Sequence, residues 1–258
     1  MNYKIKKIIN KKKKSKIVCL TAYSKNFAEV ADKYADIILV GDSLGSVLYN
    51  YKTTQKVTLQ MMIEHSKSVK QGVRKSLLVV DMPHNTYKNK RDAYKNAKKI
   101  MVSVKPDAIK LEGGKKVVNI ISYLTRKKIP VMGHLGILPQ SHKGKFKYKG
   151  KTSKERKNLL ADALLLQKNG VFSIVLECIE TSLAKEITKV LKIPTIGIGS
   201  SVNCDGQVLV TDDLIGLNLT SIKFVKSFCD IRKHIDSAVR KFKNEVKKRK
   251  YPSTKFSY

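Results

Sequence analysis

The sequence predicts an α/β fold, a (β/α)8 or TIM barrel, and three observations lead to this prediction. The length of 258 residues suits one such barrel built as a single domain over residues 1–258. Short runs rich in Val, Ile and Leu alternate with amphipathic segments, as in repeated βα units around a parallel sheet. Polar residues follow several of these runs, where barrel enzymes carry their chemistry.

Eight apolar runs are predicted to be strands. In chain order they are residues 17–20, 36–40, 77–80, 108–111, 130–132, 172–176, 194–198 and 207–210. Two of them follow a Lys-Ile-Pro step, where proline can begin a strand without removing a ladder hydrogen bond. Eight parallel strands are the number that closes this kind of barrel.

Six segments between the strands are predicted to be helices. They are residues 27–34, 59–72, 92–102, 117–127, 153–169 and 182–191. Thr58 and Gly170 are typical of a helix start and a helix end, and Thr181 is expected to open the sixth helix. After Asp230 the chain should end in a basic helix and tail. Residues 140–151 have no apolar period and predict a long loop over the barrel mouth.

The formal net charge of +33 is the most unusual bulk feature. A charge of this size raises nucleic acid or an anionic membrane as a partner. The basic residues are mostly lysines spread along the chain, and there is no Trp to stack on bases. We therefore favour a solvated lysine-rich surface over nucleic-acid binding. A polyanion-binding barrel without catalytic activity is the alternative from a different functional class.

Cysteine usage and hydropathy predict the compartment. Cys19, Cys178, Cys204 and Cys229 are widely spaced and form no C-x-x-C pair, which indicates free thiols in a reducing environment. No apolar run approaches the ~20 residues that a membrane span requires, and the basic N-terminus lacks the pattern of a signal peptide. We expect a cytoplasmic protein with no membrane partner.

Three carboxylates follow neighbouring predicted strands: Asp42 the second, Asp81 the third and Glu112 the fourth. Meeting at one rim, they would repel one another unless a cation neutralised them, and hard oxygen ligands select Mg²⁺ or a similar ion. Taken singly, each could equally be an ordinary cap or loop acid. Together they predict a metal site.

Three further polar residues end predicted strands. Lys110 lies two residues before Glu112, so both should share a face, as a substrate-binding cation or as a structural Lys–Glu pair. Glu177 ends a strongly apolar run, which suits a general base, although a paired buried acid is the alternative. His134 could bind metal, donate a hydrogen bond or merely pack, and we favour a supporting hydrogen bond. The loop 197–201 could bind an anion or only allow close packing.

Nine stretches carry a resemblance to a known family. They are LTAY (20–23), ILVGDSLG (38–45), TLQMMIEH (58–65), VVDMP (79–83), IKLEGG (109–114), PVMGHLGILPQS (130–141), VLEC (175–178), PTIGIG (194–199) and DGQVLV (205–210). With these residues the chain resembles the ketopantoate hydroxymethyltransferases over nearly its whole length. It departs from their pattern at Ser24, at His84, at Asp212 with Asp213, and in the loop 144–150.

The resemblance implies a (β/α)8 barrel, commonly a homodecamer. It also implies transfer of a hydroxymethyl group from 5,10-methylenetetrahydrofolate to 3-methyl-2-oxobutanoate through a Mg²⁺-stabilised enolate, giving 2-dehydropantoate for pantothenate synthesis. One Mg²⁺ per subunit is implied. A nearer alternative is an enolate-forming barrel of the phosphoenolpyruvate mutase and isocitrate lyase type.

The resemblance also implies roles for individual residues, and these coincide with the strand-end residues above. The metal residues fall on Asp42, Asp81 and Glu112, the substrate contacts on Asp42, Ser43, Asp81 and Lys110, and the proton acceptor on Glu177.

Overall fold

The computed structural model describes residues 2–141, 147–218 and 222–258. It contains two compact units, residues 1–210 and residues 211–258. The first unit holds a closed barrel in which parallel strands neighbour one another in chain order and the eighth pairs with the first. The predicted barrel is confirmed, whereas a single domain over residues 1–258 stays a prediction.

All eight predicted strands are present, with bounds shifted by a few residues. They are β1 (Ile17–Thr21), β2 (Ile37–Val40), β3 (Leu77–Asp81), β4 (Ala108–Glu112), β5 (Val131–Gly136), β6 (Ser173–Glu177), β7 (Thr195–Ile198) and β8 (Gly206–Leu209). Strand β5 extends beyond its predicted end and includes His134. Some of the polar residues that were predicted to follow the strands are therefore the last residues of those strands.

Eight α-helices lie in the first unit, among the residues described there. They are α1 (Tyr3–Asn10), α2 (Lys25–Ala31), α3 (Leu44–Tyr49), α4 (Leu59–Gly72), α5 (Lys90–Val104), α6 (Val118–Arg126), α7 (Ser153–Lys168) and α8 (Thr181–Val190). The six predicted helices correspond to α2 and α4 to α8. Thr58 caps α4 by accepting from Met61 N, as predicted. Helix α8 begins at Thr181, as predicted, and its cap is Glu180, whose side chain accepts from Ser182 N and Leu183 N.

Alternate strand residues face two different cores. In β2, Ile37 and Leu39 belong to the core inside the barrel, whereas Ile38 and Val40 pack in the core under the surrounding helices. This period of two is the ordinary alternation of a strand, and burial on both faces explains the nearly continuous apolar runs. The same alternation decides which strand-end residues point into the barrel.

Helix α1 closes the amino end of the barrel and lies outside the predicted elements. Ile5 and Ile8 are buried and pack with Ile17 and other residues at the amino ends of the strands. Beyond the helix, Lys12 Nζ lies 2.6 Å from Asp205 Oδ2 in a largely buried ion pair. The carboxyl end of the barrel is left as the end available for chemistry.

The connection between β7 and β8 contains no helix, and all of residues 199–205 are described. Parallel neighbours usually need a crossover of about a dozen residues or more. Within β7, Gly197 packs tightly, since an added Cβ would lie 2.9 Å from Gln207 Oε1. Ser200 Oγ donates to the carbonyl of Ile179, and Ser201 is buried. These contacts favour the packing interpretation of the loop 197–201.

The second unit contains α9 (Thr211–Leu214) and α10 (Ile231–Lys247). Helix α10 is the basic helix predicted after Asp230. Within the described ranges, no helix is both long enough and apolar enough to span a membrane. All four cysteines are free thiols, as predicted. Residues 142–146 of the predicted mouth loop lie outside the described residues.

A buried carboxylate holds the turn that leads into β3. Asp32, after α2, accepts hydrogen bonds of 2.8–3.0 Å from the backbone N–H groups of Arg74, Lys75 and Ser76. Burial acts to raise the pKa of Asp32, but these N–H groups outweigh burial and the pKa is lowered. The carboxylate therefore stabilises the fold while it is ionised.

We expect Asp32→Ala to lower the free energy of unfolding by about 1–3 kcal/mol at neutral pH, because buried N–H groups lose their acceptor. Since the folded-state pKa lies below the unfolded value of about 3.9, the stabilisation is complete well above that pH and is lost as pH falls through the folded pKa. Urea denaturation between pH 3 and 7 measures this. Glu29→Ala, an exposed acid in α2, is the control, and equal losses in both variants would contradict the assignment.

Candidate active site

Five predicted site residues point into the barrel at its carboxyl end. Asp81, Lys110, Glu112, His134 and Glu177 share the alternation of the inward-facing residues of their strands. The sheet register pairs Asp81 with Lys110 and Glu112 with His134. The predicted common face for Lys110 and Glu112 is confirmed.

Asp42 and Asp81 lie side by side, with Lys110 as a cationic partner. The backbone N–H of Asp42 donates to Asp81 Oδ2 at 3.1 Å, and Lys110 Nζ lies 2.9 Å from Asp81 Oδ1. All three residues are at least 95% buried. Lys110 is therefore the buried cationic partner of Asp81 Oδ1. The two acids together carry more negative charge than Lys110 neutralises, which suits a further cation.

The pKa directions in this group follow from burial and from crowding of like charges. Burial, then the charges of Asp81 and Glu112, raise the pKa of Asp42 to about 8. Burial lowers the pKa of Lys110, but the three surrounding carboxylates outweigh burial and the net shift is upward. Lys110 is therefore a permanent cation, and a further cation would favour the ionised form of Asp42.

His134 lies between two carboxylates. Its Nδ1 is 3.3 Å from Glu112 Oε1, and its Nε2 is 3.2 Å from Glu177 Oε2. When the ring is protonated, both contacts are ion pairs. Burial and Lys110 lower the pKa of His134, yet Glu112 and Glu177 outweigh them and raise it to about 9. A protonated His134 ring therefore forms ion pairs with both Glu177 and the buried Glu112.

Glu177 is the most accessible acid of the group, with a side chain that is 16% exposed. It ends β6 beside the site, and its described ion-pair partner is His134, not a lysine. Glu177 is thus a paired acid in the described structure, and its role as general base stays a prediction. A partly accessible carboxylate at the rim can reach a bound molecule.

Ser43 lies at the edge of the same group. Its hydroxyl is 2.8 Å from the hydroxyl of Tyr23, and an added Cβ at Gly41 would lie 2.8 Å from Ser43 Oγ and 3.6 Å from Asp81 Oδ2. Gly41 therefore keeps the space between Ser43 and the acids open. A small polar molecule could contact both.

Gln140 belongs to the site but was not among the residues predicted for it. It is buried, its Nε2 donates to Asp42 Oδ2 at 2.8 Å, and its backbone N–H donates to Glu112 Oε2 at 3.1 Å. Gln140 lies in the connection after β5, which has no apolar periodicity. The expectation that functional residues lie at the carboxyl ends of strands therefore does not predict it. In the sequence, Gln140 is marked only by its place in the stretch 130–141, which carries the family resemblance.

The described residues contain no group of three or more His, Cys, Asp or Glu side chains arranged to hold a metal ion. Asp42 and Asp81 are adjacent, whereas the Glu112 oxygens contact His134 and Gln140. The chemistry of the donors nevertheless fits a hard cation, because the buried carboxylates of Asp42, Asp81 and Glu112 outnumber Lys110. The metal assignment of Asp42, Asp81 and Glu112 stays a prediction.

Gly136 sets the position of the Glu177 backbone. Its φ is +105°, and an added Cβ would lie 2.0 Å from the Glu177 carbonyl oxygen. We expect Gly136→Ala to cost about 1–3 kcal/mol of stability and to displace the end of β6, since a backbone atom cannot rotate away. Urea denaturation gives the stability, and hydrogen–deuterium exchange of residues 177–179 reports the displacement.

Gly170→Ala is the matched control for this prediction. Gly170 also has positive φ, +89°, but an added Cβ there would meet the Thr125 side chain at 3.3 Å. Both variants should lose stability, and only Gly136→Ala should accelerate exchange at residues 177–179. Equal exchange in the two variants would show that Gly136 does not position Glu177.

Solved structures show the same fold at low sequence identity. A phosphonopyruvate hydrolase has a TM-score of 0.66 and 10% identity, covering 98% of this chain and 90% of that chain. A 2,3-dimethylmalate lyase of the phosphoenolpyruvate mutase and isocitrate lyase superfamily has a TM-score of 0.61 and 13% identity, covering 98% and 90%. At this identity the likeness shows the barrel type alone.

The sequence comparisons are far closer. The family model described as ketopantoate hydroxymethyltransferase matches residues 2–254. A 3-methyl-2-oxobutanoate hydroxymethyltransferase of Pelagibacter ubique (strain HTCC1062) is 64% identical over the full length of both chains. One of the same name from Anaplasma marginale (strain St. Maries) is 45% identical, covering 96% of this chain and 90% of its own. The chain therefore belongs to the ketopantoate hydroxymethyltransferase family of enzymes.

Proposed function

We propose that this chain transfers a hydroxymethyl group from 5,10-methylenetetrahydrofolate to 3-methyl-2-oxobutanoate, giving 2-dehydropantoate. The names of the relatives support the acceptor and the transferred group. The observation that carries the proposal is the buried group of Asp42, Asp81 and Lys110 with Glu177 accessible beside it. This arrangement suits a small 2-oxo acid that must lose a carbon-bound proton.

We assign one Mg²⁺ per subunit to Asp42 and Asp81, with Glu112 as the third acid. When bound, Mg²⁺ supplies Lewis-acid polarisation of the 2-oxo group. Two adjacent buried carboxylates beside Lys110 support this assignment. The burial of the acids also explains why a cation is needed, since uncompensated charge in a dry site is costly.

Other residues of the chain remove the proton and bind the substrate. Glu177 removes the C3 proton of the 2-oxo acid, and His134 holds the Glu177 carboxylate at the rim through its 3.2 Å contact. Lys110 attracts the oxygen on which negative charge develops. Ser43 donates its hydroxyl hydrogen bond to the substrate carboxylate, supported by Tyr23.

The carbon balance of the transfer is simple. C3 loses one proton to Glu177 and forms one carbon–carbon bond with the one-carbon unit released from the folate. Water supplies the oxygen of the new hydroxyl group, and tetrahydrofolate leaves. The C3 deprotonation needs no folate, so it can be tested by itself.

Proton exchange at C3 of 3-methyl-2-oxobutanoate in D₂O, followed by NMR, tests the proposal. We expect Mg²⁺-dependent loss of the C3 proton signal without folate, and 2-dehydropantoate once 5,10-methylenetetrahydrofolate is added. Exchange without folate-dependent product would favour a different enolate-forming reaction. No exchange, together with salt-sensitive binding to arbitrary RNA, would favour a polyanion-binding barrel.

The assembly and the location are part of the same proposal. We expect a cytoplasmic homo-oligomer, a decamer by family resemblance, with no nucleic-acid or membrane partner. Light scattering coupled to gel filtration at physiological salt measures the assembly, and a monomer of 29.1 kDa would contradict it.

A further inference from the structure

The side chain of Gln140 connects segments that follow three different strands. Besides its bonds to Asp42 and Glu112, its Nε2 donates to the carbonyl of Met82 at 3.0 Å, and its Oε1 accepts from the Tyr87 hydroxyl. Its side chain is buried, at 2% exposure. Every polar atom of this buried amide has a hydrogen-bond partner, so the surrounding structure fixes its orientation.

The orientation of the amide is unambiguous. The Met82 carbonyl can only accept, so the amide nitrogen must face it, and Tyr87 then donates to the amide oxygen. The two amide hydrogens are used by Met82 O and Asp42 Oδ2. The Asp42 carboxylate therefore meets a fixed donor with no alternative orientation.

Gln140 thereby donates a hydrogen bond to one carboxylate oxygen of each of two acids. Its amide holds Asp42 Oδ2, and its backbone N–H holds Glu112 Oε2. A carboxylate with one oxygen fixed in this way presents the other oxygen in a defined direction. Hydrogen bonds behind ligating carboxylates commonly orient them for a cation.

We propose that Gln140 is a positioning residue that orients Asp42, together with Glu112, for binding Mg²⁺ through one oxygen each. The inference rests on the proposed function, which assigns Mg²⁺ to these acids. Gln140 touches neither the substrate nor the reacting carbon in this role. Its contribution is to hold the acids in the binding geometry before the cation arrives.

The chain offers a matched control in Gln55. Its Nε2 donates to the backbone carbonyl of Gln140 at 3.0 Å, so it anchors the same loop without contacting Asp42 or Glu112 through a described hydrogen bond. Gln55→Ala thus removes a glutamine bond from the loop and leaves the Gln140 amide in place. Gln140→Ala removes the amide itself.

The test is Mg²⁺ binding to the full-length chain without substrate, measured by calorimetry, with the unfolding temperature measured in parallel. We expect Gln140→Ala to weaken Mg²⁺ binding about 10–100-fold, the usual cost of losing such a support, and Gln55→Ala to leave it within about twofold. If Gln140→Ala does not fold, Gln140→Met keeps a similar volume, adds no charge and removes both amide donors, and the same loss is expected.

The outcomes separate this inference from the function on which it rests. Wild-type chain that binds no Mg²⁺ would overturn the proposed function and the role of Gln140 with it. Normal wild-type binding with unchanged affinity in the Gln140 variant would overturn the role alone. Equal losses in the Gln140 and Gln55 variants would also overturn it, because loop anchoring would then be sufficient.

Discussion

Replacing Glu177 with Gln is expected to slow C3 proton exchange of 3-methyl-2-oxobutanoate by about 10²–10⁴-fold, the usual contribution of a positioned general base. The amide has nearly the same shape but cannot accept the proton. The Glu177 carboxylate is the accessible acid of the site, and its contact with His134 holds it at the rim. Mg²⁺ affinity should change little, because this acid is not among the residues assigned to the cation.

The measurement is NMR-detected exchange in D₂O at saturating Mg²⁺. Glu186→Gln is a suitable control, since Glu186 pairs with Arg156 and its side chain is 47% exposed. Exchange in the control should match the wild type. Near-normal exchange in Glu177→Gln would assign the base to another residue.

Replacing Lys110 with Met is expected to lower the transfer rate by about 10²–10³-fold, the cost of removing one preorganised group that stabilises developing negative charge. It should also lower the free energy of unfolding by about 3–5 kcal/mol without Mg²⁺, because Asp81 loses its buried cationic partner. Both residues are almost wholly buried, and their charged atoms lie 2.9 Å apart.

A double variant separates the two effects. Lys110→Met combined with Asp81→Asn removes the unpaired charge, so stability should largely return while activity stays low. Urea denaturation and steady-state assays measure the two quantities. If the double variant is as unstable as the single one, the ion pair is not the cause of the loss. If Lys110→Met retains the transfer rate, Lys110 has only a structural role.

The expectation that functional residues lie at the carboxyl ends of strands predicted much of the site, because the geometry of a strand is local. Once β4 is a strand, Lys110 and Glu112 must share a face, and the structure has both pointing into the barrel. Family motifs then added roles that no residue pattern provides. Helix α1 was recoverable as well, since Ile5 and Ile8 have helical spacing and Asn2 accepts from Lys4 N as a cap.

Other features had no local signal. Helix α3 is six residues long and follows the Asp42-Ser43 turn, too short for a periodic pattern. Gln140 lies in a connecting segment, where neither alternation nor helical spacing predicts burial. The identity of the Glu180 cap depends on backbone angles that the residue types near Thr181 do not specify.

The sequence by itself determined the barrel, its eight strands and the polar residues at their carboxyl ends, because alternation and parallel order follow from short stretches of chain. Only the tertiary structure decided how those residues are paired. His134 lies between Glu112 and Glu177, and Gln140 joins Asp42 to Glu112 across 98 and 28 residues of sequence. Such contacts depend on barrel closure and on the path of the connections, and neither is encoded in any one segment.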